Sequence, residues 1–208
     1  MNASIYTRPN KPIFKKVTRH TIEQKLILPE VNQVSISVDK STECHVTPFN
    51  EAGYMVDELE LCDGMSLCEP SAGTGNLINA VYDSGFTDYK NITVIERHYS
   101  LCEYMRNRWE GNQSLTPIQS CFLEYAEEAA AKGVSFSRII MNPPFRKIKL
   151  HIEAALSLLG SGGILVALVP VSFEHNEAHT LKVLEKGIFS TTNVICKIIK
   201  IYKDEDSL

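Results

Sequence analysis

The sequence predicts an α/β fold, a single domain built on a doubly wound, mostly parallel sheet and preceded by an N-terminal extension. Three observations predict it. Short apolar runs bounded by turn residues recur at 65–68, 92–95, 115–118, 137–141, 164–169 and 193–202. Stretches with helical spacing alternate with them. The runs are near-continuously apolar rather than alternating, as strands buried on both faces must be, and right-handed crossovers then lay helices on both sides of the sheet.

Residues 1–45 are read as a basic N-terminal extension and 46–208 as the domain. The extension is irregular, apart from an alternating stretch at Val34, Ile36 and Val38. Residues 1–26 carry six basic side chains and one acid (+5), leaving fifteen bases and twenty-four acids (−9) for the remainder. A basic arm on an acidic body suits docking on phosphates, and a solubilising tail has the same composition. The formal charge of the whole chain, −4, argues against a broad nucleic-acid coat.

The first helical pattern follows Thr47-Pro48, with Ala52, Val56 and Leu59 at i, i+4 and i+7. Leu77, Ile78, Val81 and Tyr82 form a second face, and Leu101, Met105 and Trp109 a third. Residues 122–132 have strong helix propensity and stop at Gly133. Ile152, Ala155, Leu156 and Leu159 form the clearest stripe, ending at Gly160 and Gly162-Gly163. After residue 145 the pattern allots one helix, a strand, another helix and the terminal strand.

At 208 residues the chain has the size of one domain. No run approaches the ~18 apolar residues of a membrane span, and MNASIYTRPNKP holds no apolar core of a secretory signal. Six cysteines at 44, 62, 68, 102, 121 and 196 include no CxxC pair, so neither a zinc site nor a disulfide scaffold is expected, and a cytoplasmic location with reduced thiols is.

In such sheets ligands bind beyond the carboxyl ends of the strands, so the chemistry is sought in the loops there. The first is Glu69-Pro-Ser-Ala-Gly-Thr-Gly-Asn76, between a strand and a helix. Gly73 and Gly75 permit positive φ and close approach of backbone to ligand. The turn lacks the third glycine of the dinucleotide fingerprint and the Gly-Lys-Ser/Thr of a phosphate-cradling loop. Glu69, just beyond the strand, opposes a pyrophosphate and suits an ammonium group. Glu96, at the end of the next strand, can accept from two ribose hydroxyls. A ligand with a ribose, a cationic amino-acid end and no phosphates fits, and S-adenosylmethionine is such a ligand.

The second loop is Asn142-Pro143-Pro144-Phe145. Two prolines fix φ and remove two N–H donors, leaving rigid carbonyl acceptors. The Pro143 carbonyl and the Asn142 amide oxygen are what an exocyclic amine needs as positive charge grows on its nitrogen, with no strong base required. Phe145 offers a face for stacking a planar target.

These residues resemble the S-adenosylmethionine-dependent amino-methyltransferases, and among them the N6-adenine DNA methyltransferases. LCEPSAGTGNL (67–77) resembles the family's cofactor motif, NPPF (142–145) its catalytic tetrapeptide, and HVTPFNEAGYMV (45–56) the Thr-Pro segment over the methionine end. The order of the three is that of the gamma arrangement, and the resemblance spans about 47–202. It implies a Rossmann-like methyltransferase fold, catalytic residues Asn142, Pro143, Pro144 and Phe145, and a cofactor site of Thr47, Pro48, Glu69, Ser71, Ala72, Gly73, Gly75, Asn76, Glu96, Cys121, Phe122 and Asn142. Where the family has an Asp after the third strand, contacting the cofactor's adenine amine, this chain has Cys121, with Phe122 able to stack.

The 63 residues after Phe145 leave no room for a target-recognition domain. Weak or very short sequence preference on DNA is therefore expected, with contacts from the arm, from Arg146, Lys147 and Lys149, or from a partner. RNA adenine, a protein glutamine amide, or a non-catalytic cofactor-binding role are the alternatives. His175 and His179 lie at i, i+4 on an expected helix, which reads as a polar face rather than a metal pair, with Phe173 near the target pocket. No metal is expected. Cys68 and Cys121 read as buried thiols, and Asp204-Glu-Asp206 as a frayed acidic end.

Overall fold

A computed structural model describes residues 46–110, 115–189 and 194–204. The basic extension with Val34–Val38 and Cys44, and residues 205–208 of the acidic end, lie outside the described residues. Seven strands form one sheet in the order β3-β2-β1-β4-β5-β7-β6: β1 Leu67–Glu69, β2 Ile92–Glu96, β3 Ile118–Gln119, β4 Phe136–Met141, β5 Leu159–Pro170, β6 His179–Val183 and β7 Cys196–Tyr202. Only β7 runs against the rest, paired antiparallel with both β5 and β6. The expected class of fold is the one observed.

Five helices flank the sheet: α1 Phe49–Glu58, α2 Asn76–Asp83, α3 Tyr99–Arg108, α4 Phe122–Ala131 and α5 Ile148–Leu158. Their apolar stripes bury two separate cores. Met55 and Leu59 from the α1 segment, Leu77, Ile78 and Val81 from α2, and Met105 and Trp109 from the α3 segment fill one. Phe122, Ala126 and Ala129 of α4 with Ile152, Ala155 and Leu158 of α5 fill the other. The inner strands are apolar throughout because each lends alternate residues to both cores. Ile140, Val166 and Ile198 face the first, while Ile139, Leu165 and Ile199 face the second.

Two buried cations fasten the first helix to the sheet. Arg138 of β4 donates from Nε to the Leu59 carbonyl at 2.6 Å, satisfying an acceptor at the carboxyl end of α1. Lys200 of β7, 3% exposed, ends between Glu58 (3.4 Å) and Glu60 (3.1 Å). Neither side chain stood out in the sequence.

The carboxyl-terminal third departs from expectation. The helix stripe through Leu159 ends at Leu158, and β5 begins at once, pairing Leu159 with Phe136 before a register shift resets the ladder to Arg138–Ile164. Gly160, Gly162 and Gly163 thus sit within a strand at an irregularity instead of beyond a helix. No second helix follows among the described residues. Residues 171–178 are turns, and His179 opens the edge strand β6. With no helix there, His175 in the turns and His179 on β6 do not share a helical face. Phe173 is partly buried and packs against the second core.

Gly75 shows how packing holds the glycine turn. It caps α2 at φ +77°, and a Cβ there would stand 2.7 Å from Trp109 Cζ2 and 3.2 Å from Met105 Sδ. Gly75→Ala is expected to cost about 2–4 kcal/mol, from positive φ and overpacking together. Thermal unfolding measures it: a drop of several degrees in Tm is expected, and an unchanged Tm contradicts the packing described.

Candidate active site

The glycine turn is strung between two strands. Ala72 N–H donates to the Ile95 carbonyl (3.0 Å), and Gly75 N–H to the Ala72 carbonyl (2.8 Å), closing a tight loop before α2. Gly73, at φ +56°, turns its N–H onto Glu96 Oε2 at 2.8 Å. The other oxygen of Glu96 accepts from His98 N–H at 2.7 Å. The carboxylate at the end of β2 is therefore held from two sides. Each oxygen keeps a second lone pair for a hydroxyl donor.

Glu69 is the last residue of β1, one position earlier than the sequence suggests, and is 1% exposed. It accepts from the Ile78 N–H, one of the orphan donors in the first turn of α2. Its Oε2 has no hydrogen-bond partner among the described residues. Burial, and then the charge of Glu96, hold its carboxyl well above the usual range. A buried acceptor without a donor is costly, and it suits a cationic donor brought by a ligand.

At the exit of β4, Asn142 Nδ2 donates to Thr47 Oγ1 at 3.0 Å. Thr47 is buried, and its carbonyl accepts from Asn76 Nδ2, also at 3.0 Å. Thr74 Oγ1 in turn donates to Asn76 Oδ1 at 3.1 Å. This chain joins the Thr-Pro segment, the glycine turn and the NPPF loop. It also sets the Asn142 amide, with nitrogen toward Thr47 and Oδ1 as the accepting end.

These residues surround a cavity of about 280 Å³ over the carboxyl ends of the strands. Thr47, Glu69, Ser71, Ala72, Gly73, Asn76, Glu96, Cys121, Phe122, Asn142 and Pro144 are among the residues that line it. Pro48, Gly75, Pro143 and Phe145 do not line it. Pro48 precedes α1 as its N-cap, Gly75 faces Trp109, and Pro143 is buried. Phe145 is half-buried and packs against the first core.

Arg97 and His151 are among the wall residues that the sequence did not single out. Arg97 is signalled only by following Glu96. His151 is signalled only by its place beside the α5 stripe. Together with Arg146 and Lys147, Arg97 makes an exposed cationic rim. Cys68 is fully buried and burial pushes its thiol up. Cys121, by contrast, is half-buried at the start of α4 and reaches the cavity. Among the described residues no three His, Cys, Asp or Glu side chains group as metal ligands, and no helix is long and apolar enough to cross a membrane.

No family model matches this sequence, and no curated protein does. Solved structures match its fold. The 23S rRNA methyltransferase ErmE superposes with a TM-score of 0.62 at 12% identity, over 76% of this chain and 69% of its own. A modification subunit described for a type I restriction enzyme of Vibrio vulnificus gives 0.64 at 15%, over 77% of this chain and 45% of its own. A protein of Pyrococcus horikoshii described as an RNA methyltransferase gives 0.60 at 14%, over 83% and 91%. The chain thus shares a fold with methyltransferases, and at such identities the likeness is one of fold.

Glu69 should weigh on stability. Its folded pKa lies above its unfolded value of about 4.3, so the cost is absent below that pH, grows as pH rises through it and is complete above the folded value. Glu69→Gln is expected to stabilise the empty protein by on the order of 1 kcal/mol at neutral pH and to lose that advantage near pH 4. Paired thermal melts at the two pH values decide it. A variant less stable than wild type at neutral pH sinks the assignment.

Proposed function

We propose that this chain is an S-adenosylmethionine-dependent methyltransferase acting on the exocyclic N6 amine of adenine in DNA, with low or very short sequence preference. The observation that carries the reading is the Asn142–Thr47 hydrogen bond. It presents the amide oxygen as acceptor in the same cavity wall as an unsatisfied buried carboxylate.

Glu69 receives the ammonium of the methionine end, and Glu96, held by Gly73 and His98, receives the ribose hydroxyls. Ser71, Ala72 and Gly73 bring backbone close to the ligand, and Phe122 contributes an apolar face. When bound, S-adenosylmethionine supplies a methyl group activated on a sulfonium sulfur. Asn142 Oδ1 and the Pro143 carbonyl accept from the target NH₂ and stabilise the charge that grows on nitrogen. The prolines keep these acceptors from relaxing, and the proton, acidic once nitrogen is quaternised, leaves to solvent without a dedicated base.

A nucleic-acid target is supported by the exposed cations Arg97, Arg146 and Lys147 around the cavity, since phosphate contacts position a protein on a polynucleotide. RNA is the second reading, favoured by the fold shared with an rRNA methyltransferase. A base inside a duplex must be flipped out before its amine can reach the NPPF loop, at a cost of a few kcal/mol. This favours single-stranded or readily unpaired targets.

Transfer of labelled methyl to duplex DNA, single-stranded DNA, RNA and protein in parallel tests the proposal. Incorporation into DNA as N6-methyladenine is expected, scattered over many short contexts. Asn142→Ala should lower transfer by about 10²–10³-fold while cofactor affinity stays within a few-fold. Transfer confined to protein, or an Asn142→Ala variant of full activity, overturns the reading.

A further inference from the structure

The order of strands gives the cavity a direction. Asn142 follows β4, Glu69 ends β1, Glu96 ends β2, and Cys121 and Phe122 follow β3, which lies outermost on that side. A ligand with its ammonium at Glu69 and its ribose at Glu96 must extend its base toward the β3 end. The side chain there with a fixed acceptor is His151 of α5. It is 7% exposed and lines the cavity, and its ring tilts against Phe122 with centroids 6.0 Å apart. Its Nδ1 lies 3.0 Å from the Lys147 carbonyl. A carbonyl only accepts, so Nδ1 carries the proton and Nε2 of the neutral ring is an acceptor. Neutrality is favoured by burial, which lowers the imidazole's pKa, and by the charges facing it, Lys147 at the start of its own helix and Arg97 after β2. Ser120, also at this end, donates to the Cys121 carbonyl (3.3 Å) and keeps acceptor lone pairs on a hydroxyl that, unlike the His151 ring, nothing else among the described residues holds in place.

We infer that His151 selects the purine of the methyl donor, its Nε2 accepting from the exocyclic amine of adenine on the wall it shares with Phe122. The assignment rests on the methyltransferase reading above. It fills the position at which Cys121 offers no strong acceptor, and it explains why a histidine is buried on a helix face otherwise apolar. A purine carrying a carbonyl oxygen in place of the amine would set acceptor against acceptor.

Calorimetric titration of S-adenosylhomocysteine and its inosine counterpart into the full chain, wild type and two variants, tests this. Wild type should prefer the adenine compound by about tenfold or more. His151→Leu should bring the ratio near one by weakening the adenine compound. His151→Gln, whose amide can turn to donate or accept, should bind both within a few-fold of each other, and circular dichroism shows that each variant is folded. If His151→Leu does not fold, the His151→Gln ratio decides. A preference retained in the folded variants, or absent from wild type, overturns the inference and leaves the methyltransferase reading standing. Failure of wild type to bind either compound overturns both.

Discussion

The site depends on one buried threonine. Thr47 accepts from Asn142 through its hydroxyl and from Asn76 through its carbonyl, so a single residue sets the β4 exit and the α2 entrance against each other. The prolines after Asn142 stiffen the backbone, yet they do nothing to orient the amide. That orientation is borrowed from a segment 95 residues earlier in the chain. Arg138 and Lys200 serve the same end from below, since they dock the helix that follows Thr47 onto the sheet. Mechanical support and chemistry here use the same few bonds.

Two glutamates at neighbouring strand ends show how surroundings divide identical groups into different tasks. Glu96 is met by two backbone N–H donors, one on each oxygen. Glu69 is met by one, loses its solvation, and has Glu96 nearby. Tolerating this cost in the empty protein makes sense when a cation arriving with the ligand offsets it. Binding energy is then released at the place where the ligand's charge has to sit. The cationic rim outside and the acidic floor inside point in opposite directions, which suits a cationic small molecule held beneath a polyanion.

Much of this was readable beforehand, for physical reasons. The inner strands are apolar on both faces and announce themselves, and the two loops combine unusual residue types at strand ends. Harder features lacked a periodic signal. β6 is an exposed edge strand with little apolar content, and the turns before it place two histidines at a spacing that mimics a helix. Gly160, Gly162 and Gly163 look like punctuation, although pairing with β4 draws them into β5. Phe145 reads as a stacking face, and nothing local reveals that it also packs against the first core. His151 hides beside an apolar stripe, its meaning visible only once Phe122 and the Lys147 carbonyl are beside it.

The margins of the sheet have a bearing on colloidal behaviour. One outermost strand, β3, is two residues long, and the other, β6, is broken by a register shift between Thr180 and Lys182. Lys182 itself reaches across to Glu51, which places charge along that border. Neither border offers a long, flat template to an extended stranger, whereas the strands rich in Ile and Val lie inside. A chain with so oily a centre is thereby guarded against strand-by-strand growth into fibres, and this protection costs nothing at the cavity over the carboxyl ends of the strands.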